Sequence, residues 1–268
     1  MKKYFAYFKI KFLNNIQYKS SVIFGCINRI IWALLKIKLF YAFYSENSNN
    51  NLTSFSELTS YIWLEQIFLS LFAIWYVEDD DIIRSIADGN VVYDLIKPIN
   101  IYWVWGAKSL ASRFASFILG CIPVLIFAIL LPEPYNLSVS ICYINLLSFF
   151  ISVVLSVCIS ITFNMWIYII TCRTLSYIGV KSFIMPIITF LTGGIVPLQF
   201  FPNKLIDILN FTPFAYVQNV SLRIYNGNIN GINIVYTLLS QIFWIILLVL
   251  AERIVINKIL KKIIIQGG

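Results

Sequence analysis

The sequence contains no histidine, and charged residues make up only 12% of its 268 positions. The absence of histidine excludes Ser-His-Asp and Cys-His catalysis, histidine-ligated metals and histidine proton relays. Neither GxxxxGK[ST] nor GxGxxG occurs, so the glycine-rich motifs that bind nucleotide phosphates are missing. The five cysteines are scattered singly without a CxxC pair, which favours small buried residues over disulfides or a metal site. We therefore predict no catalytic residue, no metal site and no cofactor bound by this chain.

Hydrophobic residues make up 60% of the sequence, and this together with the few charges is typical of a membrane protein, because soluble domains carry about 25% charged residues. The net charge is +8, and in a membrane protein such an excess reflects lysine and arginine that anchor the cytosolic side. The sequence shows no basic patch within a soluble fold, so we expect no nucleic-acid partner. The expected surroundings are a lipid bilayer.

Six apolar stretches are long enough to cross a bilayer as helices, which takes about 20 residues. They are Val22–Tyr44, Leu58–Val77, Lys108–Leu131, Val139–Ile170, Ser182–Phe200 and Ile232–Ile256. No second soluble domain and no internal repeat accompanies them. The sequence therefore predicts an all-α integral membrane protein, with residues 1–268 forming one transmembrane domain of six transmembrane helices.

Lysine and arginine concentrate on one side of this six-span arrangement. With the N-terminus inside, the cytosolic segments carry the N-terminal lysines, Arg84, Lys97, Lys108, Arg113, Arg173, Lys181, Arg253, Lys258, Lys261 and Lys262. The outer segments keep only Lys204 and Arg223. The positive-inside rule then predicts a multi-pass protein of the cell (plasma or inner) membrane with both termini in the cytosol.

The first 20 residues are rich in lysine with aromatic residues between. Phe5, Phe8, Phe12 and Ile16 recur at helical spacing, which indicates an amphipathic interfacial helix on the inner membrane surface. The alternative is a basic lead-in that only fixes the orientation.

The segment Glu78–Pro98, EDDDIIRSIADGNVVYDLIKP, is the one long polar insertion between predicted spans, and it holds six of the twelve acidic residues. Its isoleucines and its carboxylates fall on opposite sides of a short amphipathic helix, which the residues Asp88-Gly89-Asn90 should end. The segment is either a solvated loop or a docking surface for a soluble partner. The isoleucines favour docking, because no other soluble segment of the chain could cover them.

The first predicted span contains Arg29, Lys36 and Lys38, which are costly charges at membrane depth. Lys36 and Glu65 each lie eight residues from the outer ends of antiparallel spans, so they have similar depth. We predict that Lys36 and Glu65 form a pair or that both face a polar cavity. The alternative is that one or both snorkel to the membrane surface.

The fifth predicted span is interrupted near its outer end by the residues Thr192-Gly193-Gly194-Ile195-Val196-Pro197. Glycine and proline leave backbone groups unpaired, which a membrane tolerates only beside protein or a water-filled cavity. From Asn203 to Asn228 the chain alternates between apolar and polar residues, which predicts re-entrant outer helices between spans 5 and 6, in an outer region of residues 197–231. Gly193, Gly194 and Pro197 form either an outer gate or a plain loop that caps the bundle.

Five stretches of this sequence resemble one known family. They are KKYFAYFKIKFLNNIQYK at the N-terminus, SIADGNVVYDLIKPINIYW, IVPLQFFPNKL, PFAYVQNVSLRIYNGN and the terminal IIIQGG. In order and spacing they are similar to the ABC-2 type permeases of ABC transporters, in the six-span group related to drug and antibiotic-peptide exporters. The likeness runs over essentially the whole chain.

The resemblance implies a half-transporter that pairs with a second permease copy, identical or paralogous, and with cytosolic ABC ATPase subunits that bind ATP and Mg²⁺. It implies that the loop at residues 78–100 between spans 2 and 3 contains the cytosolic coupling helix that docks on the ATPase. That role would fall on Asp79, Asp80, Asp81, Ile82, Ile83, Ile86, Gly89, Asn90, Asp94 and Pro98. The turn Cys172–Lys181 would be a smaller contact with the same subunit.

The function expected from this resemblance is a permease subunit without its own ATPase site, which exports an amphipathic or hydrophobic substrate such as a drug, a peptide or a lipid-like molecule. The alternative is an ATPase-independent channel or an ion-coupled secondary transporter. That alternative predicts a connected line of ionisable groups through the membrane. In the sequence only Arg29, Lys36, Lys38 and Glu65 could form such a line.

Overall fold

The computed structural model of the chain describes residues 2–17, 19–46, 54–73, 80–91, 93, 96–138, 143–174 and 176–260. Within these ranges every regular element is a helix and there is no β-strand, so the predicted all-helical class is confirmed. The helices are α1 Lys2–Ile16, α2 Lys19–Glu46, α3 Phe55–Ile67, α4 Leu69–Phe72, α5 Asp80–Ala87, α6 Ile101–Leu130, α7 Tyr143–Thr174, α8 Tyr177–Leu191, α9 Asn203–Asn210, α10 Asn219–Tyr225 and α11 Ile232–Leu260.

Helices α6, α7 and α11 are long and apolar enough to cross a membrane. The longest of them, α7, has 32 residues and therefore extends about 48 Å at 1.5 Å per residue. These helices make the chain a membrane-embedded protein. They correspond to three of the six predicted spans.

The other three predicted spans have no helix that is both long and apolar enough among the described residues. Helix α2 has the length, with 28 residues, but contains Arg29, Lys36 and Lys38. The second span consists of α3 and α4, which are separated at Phe68, and its last residues lie outside the described ranges. Helix α8 has only 15 residues. A protein with six crossings therefore stays a prediction.

Helix α3 lies in the centre of the bundle. Ser54 begins it by accepting a hydrogen bond from the Glu57 backbone N–H, and every residue from Leu58 to Ile67 is buried. A helix that is buried on all sides belongs to the interior of a bundle. Helices α2 and α6 pack against it.

Helix α6 begins at Ile101, ahead of the predicted boundary at Lys108, because the side chain of Asn100 accepts a hydrogen bond from the Tyr102 N–H over 3.0 Å. Helix α1 packs along α6, and the hydroxyl of Tyr4 accepts a hydrogen bond from the Asn100 N–H over 3.2 Å. The structure thus places a helix at the N-terminus, as the spacing of its aromatic residues predicts.

The chain between α8 and α11 folds into short helical pieces, as the sequence predicts for residues 197–231. They are the 3₁₀ turn Leu198–Phe200, α9, the 3₁₀ turn Pro213–Tyr216 and α10. Helix α10 packs against α7. A buried polar network joins α10 to the long helices: the Ser221 hydroxyl lies 2.8 Å from that of Ser152 and 2.9 Å from that of Ser156, and Gln241 donates to Ser156.

Candidate functional site

Lys36 and Glu65 meet inside the bundle. The Lys36 Nζ atom lies 2.7 Å from Glu65 Oε1, and the exposed fractions of the two side chains are 14% and 1%. A carboxylate buried this deeply needs a counter-charge, because an unpaired charge in a low-dielectric interior costs several kcal/mol. The structure therefore has the paired arrangement, in which Glu65 does not reach the surface.

Lys36 has a second partner on a different helix. Its ammonium also donates to the Gly194 carbonyl oxygen over 2.9 Å. One side chain of α2 thus binds both α3 and the chain directly after α8. The sequence indicates the charge pair and the glycine break separately, and the structure brings them into one site.

The end of α8 is shaped so that this carbonyl is available. The helix ends at Leu191, and Gly193 follows with a positive φ of 81°, a conformation that glycine adopts without strain. The Gly193 and Gly194 N–H groups donate back to the carbonyls of Phe190 and Thr189. Gly194 therefore uses its own N–H within the turn and leaves its carbonyl for Lys36.

Both glycines are in close contact with their neighbours. A Cβ atom on Gly193 would lie 3.0 Å from Leu198 Cγ, and one on Gly194 would lie 3.1 Å from Thr189 Cγ2. Pro197, the third residue of the predicted gate, is buried and directly precedes the 3₁₀ turn Leu198–Phe200. We call Lys36, Glu65, Gly193 and Gly194 the Lys36 cluster.

Helix α10 lies against the same cluster. The amide nitrogen of the buried Gln218, directly before α10, is 3.7 Å from the position of a Cβ on Gly194. Tyr61, one turn before Glu65 on α3, donates a long hydrogen bond of 3.4 Å to Asn219. Four separate parts of the fold therefore meet here: α2, α3, the end of α8 and the start of α10.

The predicted amphipathic helix is present as α5, but its apolar side faces inward. Ile82 and Ile86 are 0% and 3% exposed, and Ile83 is partly buried. They pack against side chains of α6, α7 and α11: Tyr102, Trp105, Met165, Tyr168, Ile169 and Ile256. The prediction that these isoleucines need an external partner was wrong, because the long helices of the same chain cover them.

Several exposed residues of this segment follow α5. The turn Asp88–Asn90 is exposed, with a positive φ of 73° at Gly89, and it ends the helix as predicted. Tyr93, Ile96 and Pro98 are exposed beyond it. Among the other residues expected to couple, Asp80 and Asp81 lie in α5, while Asp79 and Asp94 are outside the described residues.

A second buried carboxylate, missed in the sequence, lies beside α5. Glu252 on α11 is fully buried and accepts a hydrogen bond of 2.7 Å from the Tyr102 hydroxyl, next to the cluster that holds Ile82. Its signal in the sequence is a single acid that ends the long apolar run of the last span. The sequence assigns only the adjacent Arg253 a position, in a cytosolic segment.

The burial of Arg113 was not expected from the sequence. The sequence assigns it to a cytosolic segment, but the structure buries it completely on α6. Its guanidinium donates to the carbonyls of Leu71 over 2.6 Å and of Ala73 over 3.1 Å. Arg113 therefore stabilises the carboxyl end of α4, where carbonyl groups lack partners within the helix.

Within the described ranges no three acidic or cysteine side chains come together in a way that could hold a metal ion. Among the described residues the arrangement provides a set of tight contacts between helices. No protein-family model matches this chain, and neither a curated protein nor a solved structure gives a match.

Proposed function

We propose that this chain is the permease subunit of an ATP-driven exporter of the ABC-2 type, embedded in the cell membrane with both termini in the cytosol. The observation that carries the proposal is the position of α5. This short helix is held by α6, α7 and α11 through Ile82 and Ile86, and the turn Asp88–Asn90 beside it is exposed. A soluble partner that pushes on the exposed turn would move the long helices.

Such a movement has a continuous path to the other end of the bundle. The Met165–Ile169 part of α7 contacts α5, and Ser152 and Ser156 on the same helix bind α10. The nearest buried residues of the two contacts, Ser156 and Met165, are nine residues apart along α7, or about 14 Å at 1.5 Å per residue. A rigid helix between them would transmit a displacement to the chain after α8.

The proposal requires two kinds of partner protein. Cytosolic ATPase subunits would bind ATP and Mg²⁺, and a second permease copy, identical or paralogous, would complete the translocation path. Aromatic residues make up 17% of the sequence, which suits an amphipathic or hydrophobic substrate such as a drug, a peptide or a lipid-like molecule.

A channel or an ion-coupled transporter is the second candidate, because buried ionisable groups are more widespread than the sequence indicates. Besides Lys36 and Glu65, the bundle contains buried Arg29 on α2, Arg113 on α6 and Glu252 on α11. Such groups in membrane proteins often mark ion pathways. This candidate predicts transport in liposomes that contain only this protein when an ion gradient is applied across their membrane.

Co-purification with a defined surface variant tests the exporter. The tagged protein, isolated from its own membranes in mild detergent, should bring down a protein that hydrolyses ATP. The variant Tyr93→Ser/Ile96→Ser, which changes two exposed residues next to the turn, should lose that activity. Phe211→Ser is the matched control, because Phe211 is equally exposed but lies after α9.

Two results would count against the exporter. One is that no ATP hydrolysis accompanies the tagged protein. The other is that hydrolysis accompanies the Tyr93→Ser/Ile96→Ser variant as fully as the parent protein. Ion-driven flux in liposomes of the purified chain alone would then favour the second candidate.

A further inference from the structure

We propose that Lys36 is the positioning residue that holds the chain after α8 closed, as a latch anchored by Glu65. The inference rests on the proposed transport function only for the substrate that would pass when the latch opens. The contact itself is a property of this chain alone. It unites the charge pair of α2 and α3 with the glycine break, through the hydrogen bonds from Lys36 Nζ to Glu65 Oε1 and to the Gly194 carbonyl.

The two hydrogen bonds of Lys36 differ in how easily they break. Separating Lys36 from Glu65 would leave a fully buried carboxylate without its counter-charge, which is strongly unfavourable. Moving Gly194 away would leave the charge pair intact and remove only a hydrogen bond to a backbone carbonyl. The charge pair is therefore the fixed half of the latch, and the bond to Gly194 is the half that can open.

The two glycines allow the hydrogen bond between Lys36 and Gly194 to break through a local change of the backbone. Gly193 adopts a positive φ of 81° and provides the turn that directs the next carbonyl at α2. A Cβ on Gly194 would lie 3.1 Å from Thr189 Cγ2 and 3.3 Å from the Thr189 carbonyl oxygen, so the absence of a side chain gives this peptide room beside α8. A rotation of the peptides around these glycines can break the hydrogen bond without unwinding α8.

Opening of the latch can be measured by the reactivity of a cysteine at a buried position directly beside the turn. Thr192 is 5% exposed and lies at the end of α8, directly before the glycines. Thr192→Cys is introduced after the five native cysteines are replaced by alanine. The purified protein in lipid nanodiscs is then labelled with a water-soluble maleimide. Both membrane faces are accessible there, so orientation plays no part.

Lys36→Met should increase the labelling rate of the thiol introduced by Thr192→Cys by at least about tenfold, because it removes a hydrogen bond to a charged donor. Lys38→Met is the matched control, since Lys38 is a cation on the same helix but is exposed. It should label at the rate of the parent protein. A Lys36→Met variant that labels no faster than Lys38→Met would overturn the latch.

A second variant keeps the test decisive if Lys36→Met does not fold. Gly194→Ala retains both charges and should displace the peptide that carries the carbonyl, because its methyl group would lie 3.1 Å from Thr189 Cγ2 and 3.3 Å from the Thr189 carbonyl oxygen. It should also label faster, and the double variant should label no faster than the more reactive single variant, because both substitutions remove the same hydrogen bond between Lys36 and Gly194. Additive effects of the two substitutions would contradict a shared latch. The assay needs no ATPase, so its failure and that of the exporter proposal are distinguishable.

Discussion

At the scale of single residues, the hydrogen bond between Tyr102 and Glu252 gives a direct prediction. Glu252 is fully buried, and the Tyr102 hydroxyl lies 2.7 Å from its Oε2. Tyr102→Phe should lower the stability of the solubilised protein by about 1–3 kcal/mol, because a buried carboxylate loses a donor. Thermal unfolding in detergent measures this change.

Tyr236→Phe is the control for that measurement, since Tyr236 is on the same helix as Glu252 but 60% exposed. It should unfold at the temperature of the parent protein. Equal unfolding temperatures for Tyr102→Phe and Tyr236→Phe would mean that the hydroxyl contributes nothing to Glu252.

Some contacts of the site could be predicted from the sequence and others could not, and the reason is physical. Lys36 and Glu65 could be found because two charges in apolar runs at equal depth need each other. The bond from Lys36 to Gly194 could not be found, because a backbone carbonyl has no signal in the sequence and lies 158 positions away. Arg113 likewise binds backbone carbonyls, so nothing in the sequence distinguishes it from a cytosolic anchor.

At the scale of elements, α5 shows what periodicity can predict. The spacing of Ile82, Ile83 and Ile86 predicts an amphipathic helix that ends near Gly89, and the structure has that helix. It does not predict which surface covers the apolar side. The covering side chains Tyr102 and Ile256 come from distant parts of the chain, and only the three-dimensional arrangement brings them to α5.

The packing of α5 leads to the second prediction. Ile82→Ala and Ile86→Ala should each release α5 from the bundle, because each removes a buried aliphatic side chain at a cost of about 2–5 kcal/mol. Limited proteolysis of the purified protein should cut the segment 80–91 faster in both variants. The unfolding temperature of the whole protein should change less than this local rate.

Ile96→Ala provides the comparison, because Ile96 belongs to the same polar segment but is 76% exposed. Its proteolysis should match that of the parent protein. If all three variants were cut at the same rate, α5 would not be held by its isoleucines, and its role in transmitting movement would lose its basis.

At the scale of the whole molecule, buried polar groups join different sets of helices in the bundle. The Lys36 cluster joins α2, α3 and the end of α8, and Arg113 joins α6 to α4. Glu252 joins α11 to α6 beside α5. Because polar groups in a membrane bundle must find partners inside the protein, each of these contacts fixes one helix relative to another.

A substitution in the serine and glutamine network at α10 tests whether these buried contacts behave independently. Gln241 accepts from Ser152 and donates to Ser156 and to the Tyr216 carbonyl, so it connects α11 with α7 and with the chain before α10. Gln241→Leu leaves these buried groups with fewer partners. Hydrogen exchange should therefore increase in residues 213–225, by about tenfold for each 1.4 kcal/mol lost.

The same substitution should leave exchange in α5 unchanged, because the buried residue of the α5 cluster on α7 that is nearest to Ser156 is Met165, nine residues away. Ser240→Ala is the control: the Ser240 hydroxyl binds only the Tyr236 carbonyl of its own helix in the described structure, and its loss should not affect residues 213–225. Increased exchange in α5 as well as in α10 would mean that the bundle loosens as one unit. A movement of α5 could then reach the chain after α8 only through the whole bundle, and not along α7.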